Sequence, residues 1–135
     1  MSKVLNLGLI GAGKWGSNYI ETIKNINGIT LKSIACKSLK NKKNLLNQYE
    51  MTDNWHKLTL SSKLDGIIIA SPASTHFEIA SECIKNRLPI IIEKPITLNF
   101  KEAKLLKDLA IKNRVIVKVN HVYLYHPLYR ELKKN

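Results

Sequence analysis

Five short apolar segments alternate with four stretches of helical periodicity, and this alternation limits the possible folds more than any other feature of the chain. The apolar segments are Val4–Ile10, Thr30–Cys36, Asp65–Ala70, Pro89–Ile92 and Val115–Val119. Strands that alternate with helices favour parallel pairing, because parallel neighbours need a crossover connection and the helix supplies it. The run DGIIIA at 65–70 is typical of a central strand that is buried on both faces. The sequence therefore predicts an α/β fold with a doubly wound parallel sheet.

The connecting segments carry their own helix signals. Residues 39–49 are predicted to form a polar helix, whereas residues 50–63 show no regular pattern. Two later helices open with capping-box patterns, in which a side chain and a backbone amide at the helix start satisfy each other: Thr75 with Glu78, and Asn99 with Glu102. No linker or repeat divides the chain, and 135 residues suit one domain.

Three glycines, Gly11, Gly13 and Gly16, form a G-x-G-x-x-G pattern directly after the first apolar segment. The first glycine allows a tight turn, the second lets a pyrophosphate approach the backbone, and the third lets helix and strand pack closely. The pyrophosphate would lie at the positive end of the following helix, beside Lys14 and Trp15. The pattern predicts a Rossmann dinucleotide site, and the alternative is a glycine-rich turn without a ligand.

The choice between NAD and NADP is predicted from the end of the second strand. An acidic residue about 20 positions after the glycine pattern would bind the adenosine ribose of NAD. The chain instead has Lys37 and Ser38 there, and it has no Asp or Glu between Thr22 and Tyr49. A cation and a hydroxyl suit a 2′-phosphate, which favours NADP. The alternative is that Lys37 is merely solvated, which leaves NAD open.

The charge balance is strongly basic, with 22 Lys and Arg against 10 Asp and Glu and a net charge of +12. Such a charge suits nucleic acid, an anionic membrane or phosphorylated ligands, but the lysines are mostly scattered and compositional drift is the simpler explanation of them. Arginine, which recognises phosphate and bases by its fork, is scarce. No apolar run approaches the roughly 18 residues of a membrane span, and two cysteines are too few for a disulfide framework or a zinc site. We expect a cytoplasmic protein without a nucleic-acid partner, membrane or metal.

Three further segments carry a family resemblance. They are IIASPASTH at 68–76, EKP at 93–95 and VNHVYLYHP at 119–127. In this order and spacing, and together with the glycine pattern, they resemble the cofactor domain of the glucose–fructose oxidoreductase / inositol dehydrogenase (Gfo/Idh/MocA) family. The resemblance extends over essentially the whole chain.

The resemblance implies roles for residues beyond the glycine loop. Ser71, Pro72 and His76 would line the cofactor groove, although His76 could equally make a hydrogen bond at a helix end. Glu93 and Lys94 would stand beside the nicotinamide, and Asn120 is expected near the nicotinamide or the substrate.

Lys94 is the predicted catalytic residue. A residue before proline is held in extended geometry, and Lys94 follows a strand at the edge where open α/β sheets bind ligands. Its ammonium group could polarise a substrate oxygen or exchange a proton during hydride transfer. The alternative is an ordinary surface lysine in a loop.

Taken with the resemblance, the chain is predicted to be the Rossmann domain of an NAD(P)-dependent oxidoreductase. Its reaction would be hydride transfer at a secondary alcohol of a sugar, a nucleotide-linked sugar or a polyol. Residues 1–120 would form the domain, and 121–135 would begin the connection to a substrate domain that this chain lacks, so the chain alone need not be active. An exposed segment at 123–132 favours a homo-oligomer. A non-catalytic dinucleotide sensor and a basic nucleic-acid binder are the alternatives.

Overall fold

The computed structural model describes residues 3–134, apart from the side chain of Asn41. Residues 1, 2 and 135, which open and close the predicted segments 1–120 and 121–135, lie outside it. The strands are β1 (Leu5–Ile10), β2 (Ile29–Ala35), β3 (Glu50–Thr52), β4 (Gly66–Ile69), β5 (Ile90–Glu93) and β6 (Val117–Asn120). The helices are α1 (Lys14–Lys24), α2 (Lys43–Leu46), α3 (His56–Thr59), α4 (His76–Lys85), α5 (Phe100–Asn113) and α6 (Pro127–Leu132). Short 3₁₀ turns occupy Leu39–Asn41, Ala73–Thr75 and Val122–Tyr125.

The strands form a single six-stranded sheet in the order β3-β2-β1-β4-β5-β6, and every neighbouring pair is parallel. The chain moves outward from β1 in one direction and then returns to place β4 on the other side of β1. This is the doubly wound order, in which the strand sequence reverses between β1 and β4. The predicted fold class is confirmed.

Apolar side chains cover both faces of the sheet. Along β4, Ile67 and Ile69 belong to one buried cluster and Ile68 belongs to the other, because successive strand side chains point to opposite faces. The first cluster packs under α4 and α5, and the second packs under α1. This double coverage explains why the central strands are apolar throughout. No helix within residues 3–134 is long and apolar enough to cross a lipid bilayer.

All five predicted strands are present, with bounds that differ by no more than two residues at either end. The prediction missed β3, which has only three residues and lies at the edge of the sheet within the segment that showed no pattern. Helix α3, of four residues, was missed in the same segment. Such short elements have no room for a hydrophobic period.

One predicted helix and one predicted helix cap were wrong. The polar helix predicted at 39–49 is a 3₁₀ turn followed by the single turn of α2, because none of the side chains described there is buried and none caps an end. The Thr75–Glu78 capping box does not form. The Thr75 hydroxyl donates to the Pro72 carbonyl at 2.7 Å instead, so it is turned away from the helix start. The second cap is confirmed, with the Asn99 side chain accepting from the Glu102 amide at 2.9 Å.

Candidate functional site

A groove of about 710 Å³ opens at the carboxyl ends of the strands, where the strand order reverses. Open α/β sheets bind ligands in a crevice at this position, because the two loops that leave neighbouring strands there run to opposite faces of the sheet. The loops after β1, β2, β3 and β4 all contribute to the walls. The residues in the walls are Ile10, Gly11, Ala12, Gly13, Lys14, Trp15, Ala35, Cys36, Lys37, Ser38, Lys42, Asp53, Trp55, Ala70, Ser71, Pro72, Thr75, Glu78 and Ile79.

The absence of a side chain has a different consequence at each of the three glycines of the loop. Gly11 has a φ of +99°, and a Cβ there would lie 2.5 Å from the Ala70 carbonyl oxygen. A Cβ at Gly16 would collide with the Gly11 carbonyl, so helix and loop could not pack as they do. Gly13 differs, since a Cβ added there would meet nothing within 4 Å beyond its own chain neighbours. The open side of Gly13 therefore leaves room for a ligand to reach the backbone, as the pyrophosphate prediction requires.

The start of α1 suits an anion. No side chain caps this helix end, its first turn contains no acidic residue, and Lys14 is its first residue. Unpaired amides and the helix dipole attract negative charge at such an end. The uncapped helix start, the open approach at Gly13 and the lysine together fit the pyrophosphate of a dinucleotide.

The groove wall after β2 contains the predicted Lys37 and Ser38, both exposed, and also Lys42. Sequence reasoning missed Lys42 and other wall residues, among them Asp53, Trp55 and Glu78. Asp53 follows β3 directly, and the ends of parallel neighbours meet at the same edge of the sheet. The three-residue strand that places Asp53 there carried no sequence signal of its own.

The loop after β4 places Ser71 and Pro72 in the groove wall. His76 lies beneath this loop and is 1% exposed, so it is not part of the groove wall. Its Nδ1 lies 2.8 Å from the Pro95 carbonyl oxygen and its Nε2 lies 2.9 Å from the Ser71 carbonyl oxygen. His76 therefore ties the loop after β4 to the loop after β5, which matches the hydrogen-bonding alternative more closely than direct contact with a ligand.

A partly buried polar network joins the ends of β5 and β6 to α1. Oε1 of Glu93 accepts from the Tyr19 hydroxyl and from Nδ2 of Asn120, both at 2.6 Å, and that amide nitrogen is also 2.7 Å from the Tyr19 oxygen. Burial and the neighbouring Glu93 raise the pKa of the Tyr19 hydroxyl, so it remains a protonated donor at neutral pH. The network fixes Glu93 at the last position of β5, directly before Lys94.

Lys94 is exposed and follows β5, and the peptide bond between it and Pro95 is cis. Among residues 3–134 it makes no ion pair. Its ammonium group is therefore available at the ligand edge of the sheet. The structure brings Lys94, Glu93 and Asn120 together beyond the β4 end of the groove, whereas Gly11, Gly13, Lys14, Trp15, Lys37 and Ser38 lie around the groove itself.

Residues 5–121 match the family model GFO_IDH_MocA, described as an oxidoreductase family with an NAD-binding Rossmann fold. The chain belongs to this family. The match confirms the resemblance inferred from the glycine pattern and from the segments at 68–76, 93–95 and 119–127. The chain is thus an NAD-binding Rossmann domain of the Gfo/Idh/MocA oxidoreductases, a description that leaves both NAD and NADP open.

Individual relatives match nearly the whole chain. Inositol 2-dehydrogenase 4 of Saccharopolyspora erythraea is 25% identical over 98% of this chain and 41% of its own length. A crystal structure of a protein from Magnetospirillum magnetotacticum MS-1 has a TM-score of 0.85 and 34% identity, covering 98% of this chain and 43% of that one.

A third similar protein, scyllo-inositol dehydrogenase of Lactobacillus casei, was solved with NAD(H) and scyllo-inositol. It has a TM-score of 0.87 at 18% identity, which shows a shared fold, and the match covers 98% of this chain and 40% of that one. The chain therefore spans about two fifths of the length of the relatives it matches.

Proposed function

We propose that this domain binds NADP or NAD for a cytoplasmic oxidoreductase that moves a hydride to or from a secondary alcohol carbon of a sugar, a nucleotide-linked sugar or a polyol. The observation that carries the proposal is a dinucleotide groove together with Lys94 at the end of β5, which makes no ion pair within the described residues. The polyol dehydrogenases among the relatives support the substrate class. The free thiols Cys36 and Cys83 are compatible with a reducing compartment.

In this proposal, each part of the site has one task. The amides at the start of α1 hold the pyrophosphate, and the open side of Gly13 lets it approach. A bound nicotinamide supplies the hydride acceptor for oxidation and the donor for reduction. For oxidation, Lys94 as a neutral amine takes up the proton that the hydroxyl loses when the carbonyl forms, and for reduction its ammonium form polarises the carbonyl oxygen and returns that proton. The network of Tyr19, Glu93 and Asn120 holds the backbone next to Lys94 in place.

We propose further that NADP is preferred. Lys37, Ser38 and Lys42 all line the wall after β2, where the adenosine ribose of a dinucleotide lies in this fold. Asp53 lines the same groove and is the residue that could hold an unphosphorylated ribose instead. The preference for NADP over NAD therefore depends on whether the lysines and Ser38 or Asp53 contribute more to binding of the ribose.

The test is a calorimetric titration of the chain with NADP and with NAD at about 150 mM salt, which damps nonspecific attraction to the basic surface. We expect tighter binding of NADP, and Lys37→Ala should reduce this preference by roughly tenfold, the scale of one charged hydrogen bond. Lys40→Ala is the matched control, because Lys40 is close in sequence but lies outside the groove wall. Equal loss in both variants would show that Lys37 acts only through net charge. Absence of binding to either dinucleotide would contradict the proposed function.

A further inference from the structure

The groove described above occupies only one half of the ligand edge. A doubly wound dinucleotide fold consists of two mononucleotide-binding halves, one on each side of the point where the strand order reverses. The groove walls come from β1, β2, β3 and the loop after β4, which is the half for the adenosine nucleotide and the pyrophosphate. The second nucleotide, which contains the nicotinamide, then falls over the ends of β4, β5 and β6. Glu93 and Asn120 are paired neighbours at the last positions of β5 and β6.

Glu93 brings a buried carboxylate to this second half. It is 5% exposed, and both donors to its Oε1, the Tyr19 hydroxyl and the Asn120 amide, are neutral groups. No Lys, Arg or His among the described residues lies within ion-pair distance of it. A buried carboxylate is ordinarily paired, because burial of an isolated charge is costly. The described part of the chain therefore places a negative charge at this edge without supplying its counter-ion.

We propose, on the basis of the function proposed above, that Glu93 makes the site bind the oxidised nicotinamide cofactor more tightly than the reduced one. The oxidised nicotinamide ring carries a positive charge, and the reduced ring is neutral, so a nearby carboxylate attracts only the first. Burial strengthens this attraction, since less water lies between the charges. Lys94 opposes it, but Lys94 is exposed and its charge is better screened. Glu93 thus sets the balance between the two redox forms in addition to holding the loop.

The test compares the dissociation constants of the oxidised and reduced forms of the dinucleotide that binds more tightly, measured by calorimetry on the 135-residue chain. Glu93→Gln keeps the size of the side chain and an oxygen acceptor for Tyr19 and Asn120, but removes the charge. We expect this variant to lower the preference for the oxidised form by about tenfold, the order expected for two unit charges several ångströms apart in a partly buried site. The matched control is Glu78→Gln, which removes a carboxylate from the adenosine half and should change both affinities by the same factor.

A second variant covers the case in which Glu93→Gln does not fold. Lys94→Met removes an exposed positive charge next to Glu93, so it should raise the preference for the oxidised form and leave the thermal unfolding midpoint nearly unchanged. Shifts of opposite sign in the two variants would support the proposal. Binding of both redox forms with an unchanged ratio in either variant would overturn it while leaving the dinucleotide function intact. Failure of the wild-type chain to bind either form would remove the proposed function and this inference together.

Discussion

Gly11, Gly13 and Gly16 occupy one loop, but the absence of a side chain has a different function at Gly13 than at the other two. An added Cβ at Gly11 or Gly16 would meet backbone atoms of the protein, whereas one at Gly13 would meet none. We expect Gly13→Val to abolish dinucleotide binding, because the new side chain would fill the space into which the pyrophosphate comes. The cost in stability should be about 1 kcal/mol, because valine is a poorer residue than glycine at the N-cap of a helix.

Calorimetry with NADP and thermal unfolding of the same samples check this pair of expectations. Gly16→Ala is the contrasting variant, since its Cβ would collide with the Gly11 carbonyl and should unfold the domain at a lower temperature. Retained dinucleotide affinity in a folded Gly13→Val chain would show that the ligand does not approach the loop at this point.

At the scale of elements, α3 and α4 are held together by a carboxylate. Glu82 of α4 accepts hydrogen bonds from the Thr59 hydroxyl and from Nδ1 of His56, the latter at 2.8 Å. Partial burial alone would raise the pKa of Glu82, but these hydrogen bonds outweigh it and the pKa lies below its ordinary value. The unfolded chain therefore takes up this proton first as the pH falls.

The stability supplied by Glu82 should accordingly be complete above its unfolded pKa, which is about 4 to 5, and should be lost as the pH falls through its lower folded value. Urea unfolding between about pH 6 and about pH 3 measures this, and Glu82→Gln should flatten part of the dependence. Some dependence should remain, because the amide of Asn6 and the amine of Lys3 also lower the pKa of Asp65. Glu21→Gln, at an exposed position on α1, is the control. A variant at Glu82 with the wild-type pH dependence would show that the α3–α4 contact gains nothing from this charge.

The sequence predicts an element well when residues within that element determine its structure, and poorly when contacts elsewhere in the fold determine it. The apolar strands and the Asn99 cap could be predicted, because each depends on a pattern within a few residues. The Thr75 cap could not, since the nearby Pro72 carbonyl competes for the same hydroxyl. The short edge strand β3 is set by pairing with β2, which leaves no period in its own three residues.

The same difference applies to the site: the parts that were predicted are contiguous in sequence, and the parts that were missed come together only in the fold. The glycine loop is contiguous in sequence, and its position after a strand was sufficient to predict it. The hydrogen bond between Tyr19 and Glu93 was not predictable, because the two residues are 74 positions apart in the sequence. The position of Tyr19 among the apolar residues of α1 suggested only that it lies on the buried face of that helix. Asp53 and Trp55 were missed because the elements beside which they lie, β3 and α3, were missed.

For the whole molecule, the apolar residues left exposed near the carboxyl end suggest self-association. They include Leu128 and Leu132, which are 70% and 76% exposed, along with three tyrosines from residue 123 to residue 129. We expect the chain to form a concentration-dependent oligomer through residues 123–132, more readily at higher salt because the net charge of +12 opposes close approach.

Sedimentation velocity over a range of concentrations measures the oligomer. Leu128→Lys should shift it toward the monomer, whereas Leu60→Lys, at a leucine that is 72% exposed elsewhere on the chain, should not. A monomer at all concentrations, or equal effects of the two variants, would contradict self-association through this segment.

The composition of the groove wall also affects the intrinsic fluorescence of the protein. The chain has two tryptophans, and both Trp15 and Trp55 border the groove, one on the first turn of α1 and the other beyond β3. Indole fluorescence responds to changes in its immediate surroundings, and a reduced nicotinamide absorbs in the range where indole emits. The protein thus carries two intrinsic fluorophores at the walls of its own binding groove, and occupation of that groove becomes an optical signal without any added dye.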